Sequence, residues 1–254
     1  MKQILYFLSF LTLFFLTKFS LAQTTPPPRD TTTIRHITTK IRSVKLDTNE
    51  IIYDENGNGL INNQSQKLLN TGEYTIRMDG RLGDPGVKKH LVKQTPAQQI
   101  AMYERIKPMI AINSPYLKEG QPLDVKPLLD ALDKKDIDQK VIILVFWNVG
   151  CPPCTESFAA LNDFFAQIHN PESITIVAIT TDNSLLAAQK LKEKPLYNSK
   201  LISDARDIMS AYQLNNYPAF VVTDRDHIIR FATKGLSPVS LNAFKNCVRS
   251  VLYQ

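Results

Sequence analysis

A run of apolar residues, Val141–Phe146, passes straight into Trp147-Asn148-Val149-Gly150-Cys151-Pro152-Pro153-Cys154. Phe158, Leu161, Phe165 and Ile168 then recur at helical spacing. An unbroken apolar run of strand length reads as a buried strand, and the later spacing as one face of a helix. The chain must therefore turn from buried strand to helix within a few residues, and that turn carries two cysteines. Cys151 falls at the helix N-terminus, where backbone N–H groups and the helix dipole favour a thiolate. Cys154 lies one turn on, within reach of a mixed disulfide formed at Cys151. The arrangement supports thiol–disulfide exchange. A structural zinc site would need two further ligands at metal spacing. The remaining cysteine is Cys247, and His36, His90, His169 and His227 stand singly. A purely structural disulfide spanning two residues would be out of place at a strand-to-helix turn. Redox exchange is the leading reading; a structural disulfide and a metal site are the alternatives.

The segment Phe146-Trp147-x-x-x-Cys151-Pro152-Pro153-Cys154 resembles the thioredoxin superfamily, and within it the secreted TlpA-like branch of bacterial thiol–disulfide oxidoreductases. Downstream, Tyr212-Gln213-Leu214-Asn215-Asn216-Tyr217-Pro218-Ala219-Phe220-Val221-Val222 resembles the family's segment with a cis-proline before a buried strand. The resemblance runs from about residue 110 to the C-terminus. It implies an α/β fold, a thioredoxin-like three-layer sandwich with a central mixed sheet flanked by helices. It implies Cys151 as the exposed nucleophile and Cys154 as the buried resolving thiol. Pro152 and Pro153 would stiffen the turn, and Pro153 suits the first helical turn, where its missing N–H costs nothing. Pro218 would be cis and face the pair, with Tyr217 lining a substrate groove and Trp147 packed beside the turn. Protein thiols and disulfides are the implied partners, together with a membrane electron donor. No cofactor and no metal are expected.

Two positions depart from the family pattern. Cytoplasmic thioredoxins carry a buried acid six positions before the first cysteine, and here that place is Val145. TlpA-like proteins often place a glutamate three residues after the second cysteine, followed by x-Pro; here those places are Ser157 and Ala159, and Glu156 stands one residue early. A one-residue offset turns a side chain by about 100° around a helix. Glu156 is thus the candidate proton acceptor for Cys154, set against a plain solvated helix residue.

The N-terminus reads as a secretion signal over residues 1–22: Lys2, an apolar stretch over 4–16, then Ser20-Leu21-Ala22 before a cleavage point. The apolar stretch is shorter than the ~20 residues that span a bilayer, although an uncleaved anchor is the alternative. No cysteine follows it, which argues against a lipoprotein. The mature chain is therefore expected in the periplasm or cell envelope, where disulfide chemistry is permitted. The net charge of +6 is mild and dispersed, with no basic helix or aromatic-interleaved stripe, so nucleic acid is not an expected partner.

Residues 23–39, rich in Thr and Pro, read as a disordered tether. Residues 40–107 read as a small α+β N-terminal module of unknown role. Its expected parts are strands at 42–46, 50–53 and 74–78, a short helix at 64–70, and a helix at 96–107 capped by Thr95. The thioredoxin-like domain is expected over 110–254. It should open with a strand near 115–118 and a hairpin turn at Glu119-Gly120-Gln121, followed by a short helix at 127–132. Strand Val141–Phe146 and a helix over 151–169 come next. A buried parallel strand is expected at 173–180, then helices at 183–194 and 204–212. An antiparallel pair, 219–223 with 228–233, precedes a closing helix at 238–252 capped by Ser237.

Asp54-x-Asn56-x-Asn58-Gly59 matches the first half of a calcium loop, but its twelfth position is Ser65, where such a loop needs an acidic ligand. A strand-connecting turn explains it better. Cys247, beside Phe244, Val248 and Val251, reads as a buried small hydrophobe, with an intermolecular disulfide or regulatory thiol as alternatives. The expected function is a secreted protein-disulfide oxidoreductase acting as a reductase. The alternatives are a thioredoxin-fold binding module with weak or no turnover, and a thiol peroxidase.

Overall fold

The computed structural model describes residues 50–81 and 84–253. The expected leader at 1–22, the tether at 23–39 and the strand at 42–46 lie outside the described residues. Among the described residues, no helix is long and apolar enough to cross a membrane.

The first elements are short. Strands β1 (Ile52–Tyr53) and β2 (Gly59–Leu60) pair antiparallel. Asp54 closes the turn between them. Its Oδ1 accepts the N–H groups of Asn56 at 2.9 Å and Asn58 at 2.8 Å, and Oδ2 accepts from Asn58 Nδ2 at 2.9 Å. The acid is occupied with its own loop, as Asp commonly is in turns. Helix α1 (Asn62–Asn70) and strands β3 (Tyr74–Met78) and β4 (Lys89–Lys93) follow. The four strands form a sheet of order β2-β1-β4-β3, in which β1 and β4 run parallel. A small core gathers around Ile52 and Leu91, covered by Leu60, Leu68, Leu69, Tyr74 and Ile76. Strand β4 is absent from the expected elements, yet it joins β1 to β3.

Helix α2 (Pro96–Ile110) starts where Thr95 predicts: the Thr95 hydroxyl accepts the Gln98 N–H, and Gln98 Oε1 accepts the Thr95 N–H at 2.8 Å. These reciprocal bonds satisfy two N–H groups that a helix start leaves open. The helix buries Tyr103 and Ile110. Residues 111–123 then run beside the larger sheet as irregular chain, not as the expected strand and hairpin. Isolated bridges join Ala111 to Thr233 and Pro122 to Ile228. Pro115 and Pro122 lack N–H groups and cannot sustain a ladder. Gly120, at φ 84°, donates its N–H to the Ile229 carbonyl. The helix expected at 127–132 is a single 3-10 turn, Lys126–Leu128, and a short helix α3 (Lys134–Ile137) follows it.

The larger sheet contains β5 (Val141–Phe146), β6 (Ile174–Ile179), β7 (Ser199–Ile202), β8 (Ala219–Thr223) and β9 (Ile229–Lys234), in the order β7-β6-β5-β8-β9. β7, β6 and β5 are mutually parallel; β8 and β9 run antiparallel to their neighbours. Helices α4 (Pro152–Phe165), α5 (Ser184–Glu193), α6 (Arg206–Ala211) and α7 (Pro238–Leu252) complete the order. Alternation along β5 divides the interior in two. Val141, Ile143 and Val145 join Phe158, Leu161, Phe244 and Val248 of α4 and α7. Ile142, Leu144 and Phe146 join Leu128, Ile208, Met209 and Tyr212 on the other face. That is a three-layer α/β sandwich around a mixed sheet. Both faces of β5 are covered, which is why its sequence is apolar without a break.

The small sheet and α2 pack on this sandwich. Tyr103 stacks on Phe231 at 5.8 Å, and Asn242 Nδ2 donates to Gln99 Oε1 at 2.8 Å. Gly72 lies so close to α7 that an added Cβ would sit 2.0 Å from the Pro238 carbonyl oxygen.

Candidate active site

Cys151 is the N-cap of α4, and Pro152 and Pro153 occupy its first turn. Both prolines are exposed; Cys151 is half-buried and Cys154 is 0% exposed. The two sulfurs form a disulfide, Cys151–Cys154. In this oxidised pair Cys151 is the more exposed residue, and Cys154 is sealed in the core. Within the turn, the Cys151 N–H donates to the Asn148 carbonyl at 3.1 Å and the Gly150 N–H to Asn148 Oδ1 at 2.9 Å. Trp147 is fully buried and meets Phe158 edge-on at 5.6 Å, so it belongs to the core beneath the turn.

Strand register brings the second motif to the first. Ala219 pairs with Phe146, so the residues before Ala219 lie at the same end of the sheet as those after Phe146. The Tyr217–Pro218 peptide bond there is cis. The Pro218 carbonyl accepts the Gly235 N–H at 2.8 Å. Tyr217 is half-buried, packs against both cores, and brings its hydroxyl within 3.3 Å of Thr181 Oγ1.

A third segment meets them. Ile179 pairs with Phe146 across the parallel ladder, which sets residues 180–182 beside the cysteine turn. The Val149 N–H donates to Asp182 Oδ2 at 2.7 Å. Sequence reasoning missed Asp182. One signal was available: an acid just past the C-terminal end of a buried parallel strand, where sites collect in α/β sheets.

Glu156 is exposed and lines an outer groove with Phe158, Asn162, Lys194 and Tyr197. Ser157 Oγ donates to the Cys154 carbonyl at 2.6 Å, so this side chain is folded back on its own helix. Cys247 stands apart on α7. Burial pushes its thiol up to about 12, and the nearby Glu119 carboxylate adds to the shift. Among the described residues, no group of three or more His, Cys, Asp or Glu side chains could hold a metal ion.

Residues 128–232 match the AhpC/TSA family. The fold is thioredoxin-like. The chain is similar in sequence to thiol-disulfide oxidoreductase ResA of Bacillus subtilis (strain 168), with 19% identity over 120 residues, 46% of this chain and 66% of ResA. ResA of Bacillus cereus is 23% identical over 96 residues, 37% of this chain and 55% of that protein. The chain thus spans less than two thirds of the length of these curated relatives. Among solved structures, the thioredoxin domain of a thiol-disulfide oxidoreductase from Bacteroides vulgatus has a TM-score of 0.39 and 20% identity, covering 46% of this chain and 84% of that one.

Proposed function

We propose that the chain is a thiol–disulfide oxidoreductase that reduces protein disulfides outside the cytoplasm. The observation carrying this reading is the asymmetry of the cysteine pair: Cys151 half-exposed at a helix N-terminus, Cys154 sealed beneath it. In the reduced protein, the Cys151 thiolate attacks a substrate disulfide. One substrate thiol leaves, and a mixed disulfide forms at Cys151. The Cys154 thiolate then attacks the Cys151 sulfur, which releases the second substrate thiol and closes the Cys151–Cys154 disulfide. The substrate disulfide gains two electrons and the pair loses two, so each cycle needs an external dithiol to restore the reduced pair. A membrane-bound donor is the proposed source. Pro218 and Tyr217 form the groove that receives an extended substrate segment, and Pro152 and Pro153 hold the turn in shape.

Trapping tests this assignment. Cys154→Ala accumulates mixed disulfides through Cys151 because no resolving thiol remains, and Cys151→Ala accumulates few. Equal trapping by both variants, or none by either, overturns the roles. Direction is read from the reduction potential of the pair. A value near that of thioredoxin, about −270 mV, supports a reductase, and one near about −120 mV an oxidant.

A further inference from the structure

We propose that Asp182 is a positioning residue of the exchange site, holding through one carboxylate oxygen the turn that presents Cys151. The proposal rests on the reading of the Cys151–Cys154 pair as the redox centre. β5 fixes the chain up to Phe146, and α4 fixes it from Pro152 onward. Between them, the Gly150 and Cys151 N–H groups bond within the turn, both to Asn148. The Val149 N–H instead bonds outside the turn, to Asp182 Oδ2 at 2.7 Å. At 2.7 Å this is a close bond, at the short end of the usual N–H···O range.

The acceptor is itself anchored. Asp182 Oδ2 also accepts from Thr180 Oγ1 at 2.8 Å, and the Asp182 N–H donates back to Thr180 Oγ1 at 3.2 Å. The Asp182 carbonyl accepts the Asp204 N–H at 2.8 Å. Thr180 is 0% exposed, with its N–H on the Ile202 carbonyl and its own carbonyl on the Ala205 N–H. The carboxylate is therefore fastened to the sheet and to the chain after β7. The simplest other task for an acid at this place would be to cap α5. Asn183 already does so, its side chain accepting the Leu186 N–H at 2.9 Å.

One oxygen receives both bonds, so an amide oxygen could receive them as well. This separates geometry from charge. If Asp182 acts by position, Asp182→Ala loosens the turn, lowers the effective concentration of the two thiols for each other, and makes the disulfide easier to reduce. The equilibrium constant of the pair against glutathione should shift about tenfold toward the dithiol, about 30 mV. Asp182→Asn should stay within about twofold of wild type. The measurement is made on the full chain, with a thermal melt of each variant to exclude general loosening. An unchanged equilibrium constant in Asp182→Ala overturns the proposal. So does Asp182→Asn shifting as far as Asp182→Ala, because charge would then be the agent. Should Asp182→Ala fail to fold, Thr180→Val decides: it leaves the carboxylate but releases its rotamer. A shift toward the dithiol in Thr180→Val supports the role, and a wild-type constant overturns it. No protein substrate enters these measurements. A wild-type chain that fails to reduce protein disulfides would therefore count against the proposed function and leave the Asp182 result standing.

Discussion

Pro218 has its carbonyl bound to the Gly235 N–H, and Tyr217 before it has its hydroxyl beside Thr181. The loop is thus held from two sides. Pro218 has no N–H, so Pro218→Ala places a new backbone donor in the proposed substrate groove. The expected outcome is a folded protein whose reaction with a protein disulfide slows by about tenfold or more, measured by stopped-flow against a small-molecule disulfide control. A variant with wild-type kinetics on both would remove Pro218 from the substrate site. The cysteines and Pro218 stand out in the sequence because each carries an unusual local chemistry. Asp182 does not. Its importance arises when the β5–β6 register sets it against Val149, a contact between residues far apart in the chain. Glu156 and Ser157 are the reverse case. Their positions on α4 follow from helix geometry, but only the fold shows Glu156 in an outer groove beside Lys194 and Ser157 bonded to its own helix.

Among the elements, β5, β8 and α7 match the sequence pattern end to end, because long apolar runs and Ser-Pro starts leave few alternatives. β4 and β7 escape it. Each has one buried residue, Leu91 and Ile202, in a short strand that also carries lysine, and one buried position is too few to show an alternation. The expected hairpin at 119–121 fails for another reason: turn-forming residues specify a turn, not the two strands beside it. Gly72 illustrates a constraint that no local pattern announces. It has φ 74° and lies against the Pro238 carbonyl. Gly72→Ala combines left-handed strain with a backbone clash and should destabilise the protein by roughly 2–5 kcal/mol. Chemical denaturation measures it. A loss under about 0.5 kcal/mol would mean that α1 and β3 are free to move away from α7, a contact the packing makes tight.

At the scale of the whole molecule, acid sensitivity is one readout of how the layers are tied. Lys200 Nζ on β7 donates to Asp136 Oδ2 of α3 at 2.7 Å, and this bond holds the Asp136 carboxyl below its usual range. A carboxyl depressed in the folded state contributes stability in full above its unfolded pKa of about 3.9, and loses it as pH falls through the lower folded value. Asp136→Asn should therefore cost about 1 kcal/mol or less at pH 7, with the gap to wild type closing below about pH 4. Urea melts across pH provide the test; a constant gap would show that Asp136 acts by shape alone.

The stack of Tyr103 on Phe231 gives the molecule a seam where a linker would otherwise leave a hinge. Glu119 closes it further: Oε1 accepts from the Tyr103 hydroxyl at 3.3 Å and the Ala232 N–H at 3.2 Å, while Oε2 pairs with Lys107 at 2.5 Å. A chain cut near residue 110 would keep Phe231 and Glu119 but lose the ring and the cation they meet. Its thioredoxin-like half would carry an unfinished wall, open to water on one side and inclined to stick to its own copies. The smaller sheet is in this sense the outer skin of the larger one.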